Sequence, residues 1–213
     1  MSSLLFSRAR LVFWDFDGVI KDSLLVKEEA FFTIFETYGS DLSSRVCKHH
    51  RGNGGVSRFD KFPLYLSWAG LPVTPQAISE LSSRMESLVV DGVLTSDWVP
   101  GVKNLLHNNP YRQKFVVVSA TPLVELTYII ARLGLASCFQ SIYGSPTSKT
   151  DAIAGFMSAF GYPSQSCLMI GDSQADYDAA ENNGISFLLR RHSWNSDVFQ
   201  SYTGPSIFDF KDI

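Results

Sequence analysis

The sequence of 213 residues has few cysteines, no long apolar run and no basic tract. Its three cysteines, Cys47, Cys138 and Cys167, lie far apart and form no CxxC pair, which argues against a disulfide framework or a zinc knuckle. No stretch approaches the roughly 20 apolar residues of a membrane span, and the first ten residues lack the apolar stretch of a signal peptide. The net charge is −3, without the clustered positive charge that tracks a nucleic-acid backbone. We therefore expect a cytoplasmic protein with no membrane or nucleic-acid partner.

What is present is the composition of a folded domain, with 45% hydrophobic and 18% charged residues. Four short apolar runs cover residues 11–14, 115–118, 167–170 and 185–189. The first three end at polar or small residues, which is typical of buried parallel strands that present functional groups at their C-terminal tips. Helical stretches follow the second and third runs. The pattern predicts an α/β fold with a doubly wound parallel sheet.

Residues 22–97 have a different pattern. Apolar side chains recur at helical spacing in three stretches, the last of which begins at Pro75 with Thr74 as its N-cap. No alternation typical of a strand is evident. We therefore expect a helical insert, residues 22–97, between the two parts of a core made of residues 1–21 and 98–213.

Asp15 and Asp17 follow the first apolar run, and Gly18 then allows the chain to turn sharply. Two carboxylates at a strand tip can divide the work of phosphate transfer, because Asp15 can attack phosphorus while Asp17 handles the proton of the leaving group. A bound cation would offset the repulsion between a carboxylate and a phosphate dianion. The alternative is a pair of solvated acids before a turn.

Four more residues carry matching chemistry. Asp172, at the end of the third run, can supply an oxygen to Mg²⁺. Asp176 can act beside the metal or simply favour the start of a helix. Ser119 can bind a phosphate oxygen; the alternative is an ordinary N-cap for the helix after Pro122, and the two roles are compatible. Lys149 opens a helix, where a cation is unfavourable unless an anion lies nearby; a surface lysine is the alternative.

In this order, these residues resemble the four motifs of the haloacid dehalogenase superfamily, and the resemblance spans nearly the whole chain. It implies a Rossmann-like core with an inserted all-helical cap domain and a phosphorylated intermediate on Asp15. It also implies Mg²⁺ as the cofactor, held by Asp15, the carbonyl of Asp17 and Asp172, with Asp176 beside them. Ser119 and Lys149 are then catalytic, and Gly18 and Ala120 contact the substrate.

Within the superfamily, the sequence is similar to the branch of beta-phosphoglucomutase and phosphoglycolate phosphatase. The cap segment that ends at Arg58, GVSR, resembles the mutase segment whose arginine grips the distal phosphate, so Arg58 is the candidate for substrate selection. A solvated arginine is the alternative. Asn53 and Gly55 belong to a flexible turn that can close over a substrate. We expect His49 and His50 in a solvated loop.

The expected function is a Mg²⁺-dependent phosphatase, a monomer or dimer, that hydrolyses a small phosphorylated metabolite such as a sugar phosphate or phosphoglycolate. Gly171 before Asp172 is the form more usual among phosphatases. A sugar phosphomutase and a non-catalytic protein that binds phosphorylated metabolites are the alternatives. Phosphonatases lack the second acid and use a cap lysine; Lys27 and Lys61 are candidates for that role, but Asp17 argues against it.

Overall fold

The computed structural model describes residues 2–213, and its centre is one sheet of six parallel strands. The strands are β1 (Leu11–Trp14), β2 (Lys114–Pro122), β3 (Ser141–Ser145), β4 (Cys167–Gly171), β5 (Ser186–Arg190) and β6 (Ser206–Ile207). Their order in the sheet is β3-β2-β1-β4-β5-β6. The chain runs outward from β1 in one direction and then, from β4, in the other. The C-terminal ends of β1, β2 and β4 therefore meet where ligands bind in sheets of this type.

The helices cover both faces of the sheet and form the insert. They are α1 (Ser2–Arg8), α2 (Leu24–Phe35), α3 (Ser40–Gly52), α4 (Arg58–Trp68), α5 (Pro75–Thr95), α6 (Val102–Asn108), α7 (Leu123–Arg132), α8 (Lys149–Phe160) and α9 (Gln174–Asn182). Within residues 2–213, no helix is both long and apolar enough to cross a membrane.

The sheet is buried on both faces, which explains why its strands read as continuous apolar runs. In β1, Val12 and Trp14 belong to an apolar cluster that continues into the insert, whereas Leu11 and Phe13 face a second cluster with side chains of α8 and α9. All four positions of β1 are fully buried. A charged residue in β1 would therefore be costly, and the carboxylates appear only where the strand ends.

The predicted fold class is confirmed, and all four predicted strands are present. The strands β3 and β6 were not predicted, because edge strands need no continuous apolar run: three of the five residues of β3 and both residues of β6 are only half-buried. The helix α3 was not predicted either. It is mostly polar and buries only Ser43 and Val46, so it offers few apolar side chains from which a helix could be recognised.

The insert consists of α2 to α5, and no β-strand is described between Leu24 and Thr95. Thr74 caps α5 as predicted, with its hydroxyl accepting a hydrogen bond of 3.1 Å from the Ala77 N–H. Pro75 then occupies the first turn, where its missing N–H costs nothing. These helices lie over the C-terminal ends of the strands, which places their side chains beside the strand tips.

Candidate active site

A cavity of about 100 Å³ lies between the tips of β1, β2 and β4 and the helical insert. The core side of this cavity is lined by Asp15, Asp17, Ser119, Ala120, Thr121, Asp172 and His192, and the insert side by Lys27, His50, Gly54, Gly55, Arg58 and Lys61. Residues that the sequence analysis selected from four separate segments therefore share one cavity. Lys149, Asp176, Gly18 and Asn53 do not line it, and their contacts are described below.

Three buried carboxylates form the floor of the site. One oxygen from each of Asp15, Asp172 and Asp176 lies within 4.8 Å of the others. Burial, together with the charge of Asp176, raises the pKa of Asp15 well above its ordinary value and raises the pKa of Asp172 to about 8. A cation between these oxygens would favour their ionised forms. Carboxylate oxygens are ligands that Mg²⁺ prefers, so the donor set fits that ion.

Lys149 supplies a positive charge to this floor. Its Nζ lies 3.0 Å from Oδ1 of Asp15 and 2.5 Å from Oδ1 of Asp176. Burial alone lowers the pKa of a lysine, but these two carboxylates raise the pKa of Lys149 above its ordinary value. The position of a cation at the start of α8 is therefore explained by buried partners, and the alternative of a surface lysine is wrong.

Asp176 organises the loop between β4 and α9. Its Oδ2 accepts hydrogen bonds from the Ser173 hydroxyl at 2.6 Å, from the Ser173 N–H at 3.0 Å and from the Asp172 N–H at 3.2 Å. Its other oxygen binds Lys149. Asp176 therefore serves both as part of a helix cap and as a support for Asp172 and Lys149.

Asp17 has a different environment from Asp15. Its Oδ1 accepts a hydrogen bond of 2.6 Å from Ser23, and its Oδ2 accepts one of 2.8 Å from Thr121 and lies 3.5 Å from Nζ of Lys27. Burial on its own would raise the pKa of Asp17, but the charge of Lys27 and the two hydroxyl donors lower it. These three partners of Asp17 were not predicted from the sequence. Of the three, Thr121 had a local signal, since it follows Ser119 at the same strand tip.

Ser119 in β2 and Gly18 after β1 make local contacts near the strand tips. The Ser119 hydroxyl accepts a hydrogen bond of 3.2 Å from the Thr121 N–H, and α7 has no side-chain cap, so the alternative that Ser119 caps this helix is wrong. Gly18 has a φ of +80°, and a Cβ on it would lie 2.2 Å from Oδ2 of Asp172. A side chain at this position would displace a carboxylate of the floor.

His192, which was not predicted from the sequence, forms a hydrogen bond with Asp172. Its Nδ1 accepts a hydrogen bond of 3.2 Å from the Trp194 N–H, so the ring proton lies on Nε2, which donates to Oδ2 of Asp172 at 2.8 Å. Burial and the charge of Arg190 lower the pKa of His192 to about 4, so the ring is neutral near pH 7. Asn195 donates to the Asp172 carbonyl at 2.9 Å and completes the support.

On the insert side, Arg58 is paired with a residue of the core. Only 5% of Arg58 is exposed, and its Nη2 lies 2.8 Å from Oε1 of Glu125 in α7. Its Nη1 donates to the Ser82 carbonyl at 3.3 Å, and the same oxygen of Glu125 lies 3.4 Å from Nζ of Lys27. The alternative of a solvated Arg58 is therefore wrong. Arg58 lines the cavity, but a buried carboxylate already compensates its charge.

The loop after α3 touches the core directly. Gly55 has a φ of +75°, and a Cβ on it would lie 2.2 Å from the Ser173 hydroxyl, so a larger residue would push the insert away from the strand tips. The side-chain amide of Asn53 donates to the His49 carbonyl at 2.8 Å and thereby caps α3 instead of facing the cavity. The expectation of a solvated loop at His49 and His50 is wrong, because both belong to the last turn of α3.

Comparisons with known proteins agree with this architecture. Residues 12–189 match the family described as haloacid dehalogenase-like hydrolase. No curated protein sequence matches the chain.

Several solved structures have a similar fold. A predicted phosphoglycolate phosphatase from Haemophilus somnus 129pt is 19% identical, with a TM-score of 0.74 and 96% of each chain covered. A beta-phosphoglucomutase from Clostridium difficile is 16% identical, with a TM-score of 0.77, and the match covers 96% of this chain and 93% of that one. CbbY from Rhodobacter sphaeroides, in complex with xylulose-1,5-bisphosphate, is 13% identical, with a TM-score of 0.75 and 96% of each chain covered.

Proposed function

The chain belongs to the haloacid dehalogenase-like hydrolase family, and from this membership and the geometry of the cavity we propose that it is a Mg²⁺-dependent phosphatase acting on a small phosphorylated metabolite. The observation that carries the proposal is the contrast between two carboxylates of one strand tip. The pKa of Asp15 is raised by burial and by neighbouring carboxylates, whereas Lys27 and two hydroxyls lower the pKa of Asp17 against the effect of burial. Different environments for paired acids are typical of divided acid–base roles.

Asp15, Asp172 and the main-chain carbonyl of Asp17 would hold Mg²⁺, with Asp176 beside them. When bound, the ion would keep Asp15 ionised and offset the repulsion between that carboxylate and the phosphate dianion. Lys149 contributes a second positive charge on Oδ1 of Asp15. His192 and Asp176 fix the side chain and the backbone of Asp172, respectively, as second partners of metal ligands commonly do.

In the proposed reaction, the two acids have separate roles. A carboxylate oxygen of Asp15 attacks phosphorus, the bond between phosphorus and the ester oxygen breaks, and Asp17 gives its proton to that oxygen. Asp17 then takes a proton from water, whose oxygen attacks the phosphorylated Asp15 and releases inorganic phosphate. The lowered pKa of Asp17 suits the second step. An incoming phosphate brings negative charge, which raises the pKa of Asp17 for the first.

The phosphate itself would be held at the tip of β2 and the start of α8. Ser119, Ala120 and Lys149 are our candidates, because Ser119 and Ala120 line the cavity and the Lys149 ammonium contacts Asp15. An ammonium and a hydroxyl both donate to phosphate oxygens. Gly18 is a further candidate for contact with the substrate, because its backbone lies close to the Asp172 carboxylate.

We propose that residues 22–97 form the cap domain and that residues 1–21 and 98–213 form the core. The cavity of about 100 Å³, with Gly55 of the insert beside Ser173 of the core, suits a small ligand, which supports a sugar phosphate or phosphoglycolate as the substrate class. The cysteines Cys47, Cys138 and Cys167 are free thiols. They support a reducing compartment, and we propose the cytoplasm.

The first experiment measures hydrolysis of 4-nitrophenyl phosphate with Mg²⁺ and with EDTA. We expect activity that requires Mg²⁺, and we expect Asp15→Asn to remove essentially all of it, because the covalent step has no substitute. Asp91→Asn, a matched change at an exposed position of α5, is the control and should retain activity. Activity of Asp15→Asn close to that of the control would refute the assignment.

The same proteins test the intermediate and the acceptor. Beryllofluoride with Mg²⁺ should bind to the wild type and fail to bind to Asp15→Asn. Release of inorganic phosphate from a panel of sugar phosphates and phosphoglycolate supports a phosphatase. Isomerised sugar phosphate without phosphate release would instead identify a mutase. If neither product forms, the non-catalytic binding protein is the alternative that remains.

A further inference from the structure

One lysine of the cavity has no carboxylate partner. Lys61 in α4 is 2% exposed and lines the cavity, yet no carboxylate of residues 2–213 lies within 4.0 Å of its Nζ. Its hydrogen-bond partner is Nδ1 of His50, at 3.0 Å. A buried charge without a counterion is costly, so the environment of Lys61 calls for an explanation.

The other buried cations that line the cavity, Lys27 and Arg58, are compensated, and so is Lys149 at its floor. Each has at least one buried or half-buried carboxylate within 4.0 Å: Asp17 and Glu125 for Lys27, Glu125 for Arg58, and Asp15 and Asp176 for Lys149. Arg58 therefore brings no uncompensated charge to the cavity, despite the expectation that it selects the substrate. The surplus positive charge on the insert side belongs to Lys61.

His50 does not supply the missing negative charge. Burial and the charge of Lys61 lower the pKa of His50 well below its ordinary value, so the ring is neutral and accepts a hydrogen bond from the ammonium. The ring of Phe31 lies 5.8 Å from Nζ, at the outer limit of a cation–π contact. Burial and the charge of Lys27 lower the pKa of Lys61 to about 7, although the more distant carboxylate of Asp60 opposes this shift. The charge thus remains poorly compensated.

We propose that Lys61, held by His50, binds a second anionic group of the substrate on the insert side of the cavity, either a carboxylate or a second phosphate. The inference rests on the proposed function, since the first phosphate is taken to lie at Asp15. The ligand supplies the counterion that the folded chain lacks. Arg58, tied to Glu125 in the core, positions α4 and thereby Lys61.

The test compares three substrates with wild type and Lys61→Met, which removes the charge and keeps an unbranched apolar side chain. The substrates are 4-nitrophenyl phosphate, with one anionic group; 2-phosphoglycolate, with a carboxylate as well; and fructose 1,6-bisphosphate, with two phosphates. We expect the wild type to favour one of the last two. Lys61→Met should raise KM for that substrate by about tenfold more than for 4-nitrophenyl phosphate, because a hydrogen-bonded ion pair is lost. Which of the two responds identifies the second group as carboxylate or phosphate.

A second readout separates binding from structural support. Lys61→Met should raise the melting temperature of the ligand-free protein, since it removes an uncompensated buried charge. In catalytically inactive Asp15→Asn, the preferred substrate should raise the melting temperature further by binding. Adding Lys61→Met to Asp15→Asn should remove this substrate-induced rise. Lys48→Met, at an exposed position of α3, is the matched control. Should Lys61→Met fail to fold, Lys61→Gln replaces it.

Equal losses on all three substrates would overturn the inference, as would a lower melting temperature of folded Lys61→Met or a wild type without preference for a second anionic group. Failure of the proposed function is distinguishable from these outcomes. It would appear as a wild type that hydrolyses none of the three substrates in the presence of Mg²⁺.

Discussion

Replacing Glu125 by glutamine tests the ion-pair network that joins the insert to the core. Glu125 is 2% exposed, and its Oε1 contacts both Nη2 of Arg58 at 2.8 Å and Nζ of Lys27 at 3.4 Å. Glu125→Gln keeps the shape and removes the charge. Lys27 retains Asp17 at 3.5 Å, but Arg58 retains only the carbonyl of Ser82.

The expected loss of stability follows from the partners that the two cations retain. Removing one partner of a buried pair costs about 3–5 kcal/mol, and we take the lower end, about 3 kcal/mol, because only one cation loses its last carboxylate. For a chain of this length, 1 kcal/mol shifts the melting temperature by about 2–4 °C, so Glu125→Gln should lower it by about 6–12 °C.

The assay is thermal unfolding at fixed pH in EDTA, with urea unfolding for the free energy. Glu29→Gln, at an exposed position of α2, is the matched control and should stay within about 0.5 kcal/mol of the wild type. In the background of Glu125→Gln, Arg58→Met should recover part of the loss, because it removes the unpaired cation. If Glu125→Gln is as stable as Glu29→Gln, the ion pair between Arg58 and Glu125 does not stabilise the protein. Glu125 would then not compensate the charge of Arg58.

The remaining predictions concern the metal and the pH dependence. His192→Phe should raise the Mg²⁺ concentration needed for half-maximal activity by about 10–100-fold, because the donor to Asp172 is lost; an unchanged metal titration would contradict this role. For a doubly anionic substrate, kcat/KM should fall as the pH rises through about 7, where free Lys61 loses its proton, while 4-nitrophenyl phosphate should show a smaller decline over the same range. The charged and titratable groups around Lys61 are Lys27, His50, Asp60 and Lys149. The pKa of Lys61 in the folded protein, about 7, lies below its ordinary 10.5. The buried ammonium therefore destabilises the fold fully below pH 7, and this penalty is progressively relieved as the pH rises from 7 toward 10.5. The gain in melting temperature from Lys61→Met should accordingly shrink from pH 7 toward pH 10.

Much of the core could be predicted from the sequence because its signals are local. The strands β1, β2, β4 and β5 contain continuous apolar runs. Asp15 and Asp172 directly follow β1 and β4, and Ser119 follows the apolar run of residues 115–118 within β2. Parallel strands bring their C-terminal ends to one edge, so residues far apart in the chain fall together once the strands are recognised. The edge strand β3 and the polar helix α3 escaped prediction because neither needs a strong apolar pattern.

The sequence by itself thus determined the type of fold, the edge of the sheet that carries the site and the carboxylates at its floor. Which cations of the insert are free to meet a ligand was decided by tertiary structure alone. Arg58 meets Glu125 across 67 positions of the chain, whereas Lys61, three residues further along the same helix, has no carboxylate of residues 2–213 within 4.0 Å. Arg58 and Lys61 lie in the same turn of α4, so the local sequence does not distinguish them. Ion pairing between helices that are distant in the sequence determines which positive charge a ligand meets in the cavity. A buried ion pair has no net charge, whereas an unpaired ammonium can still attract an anionic ligand.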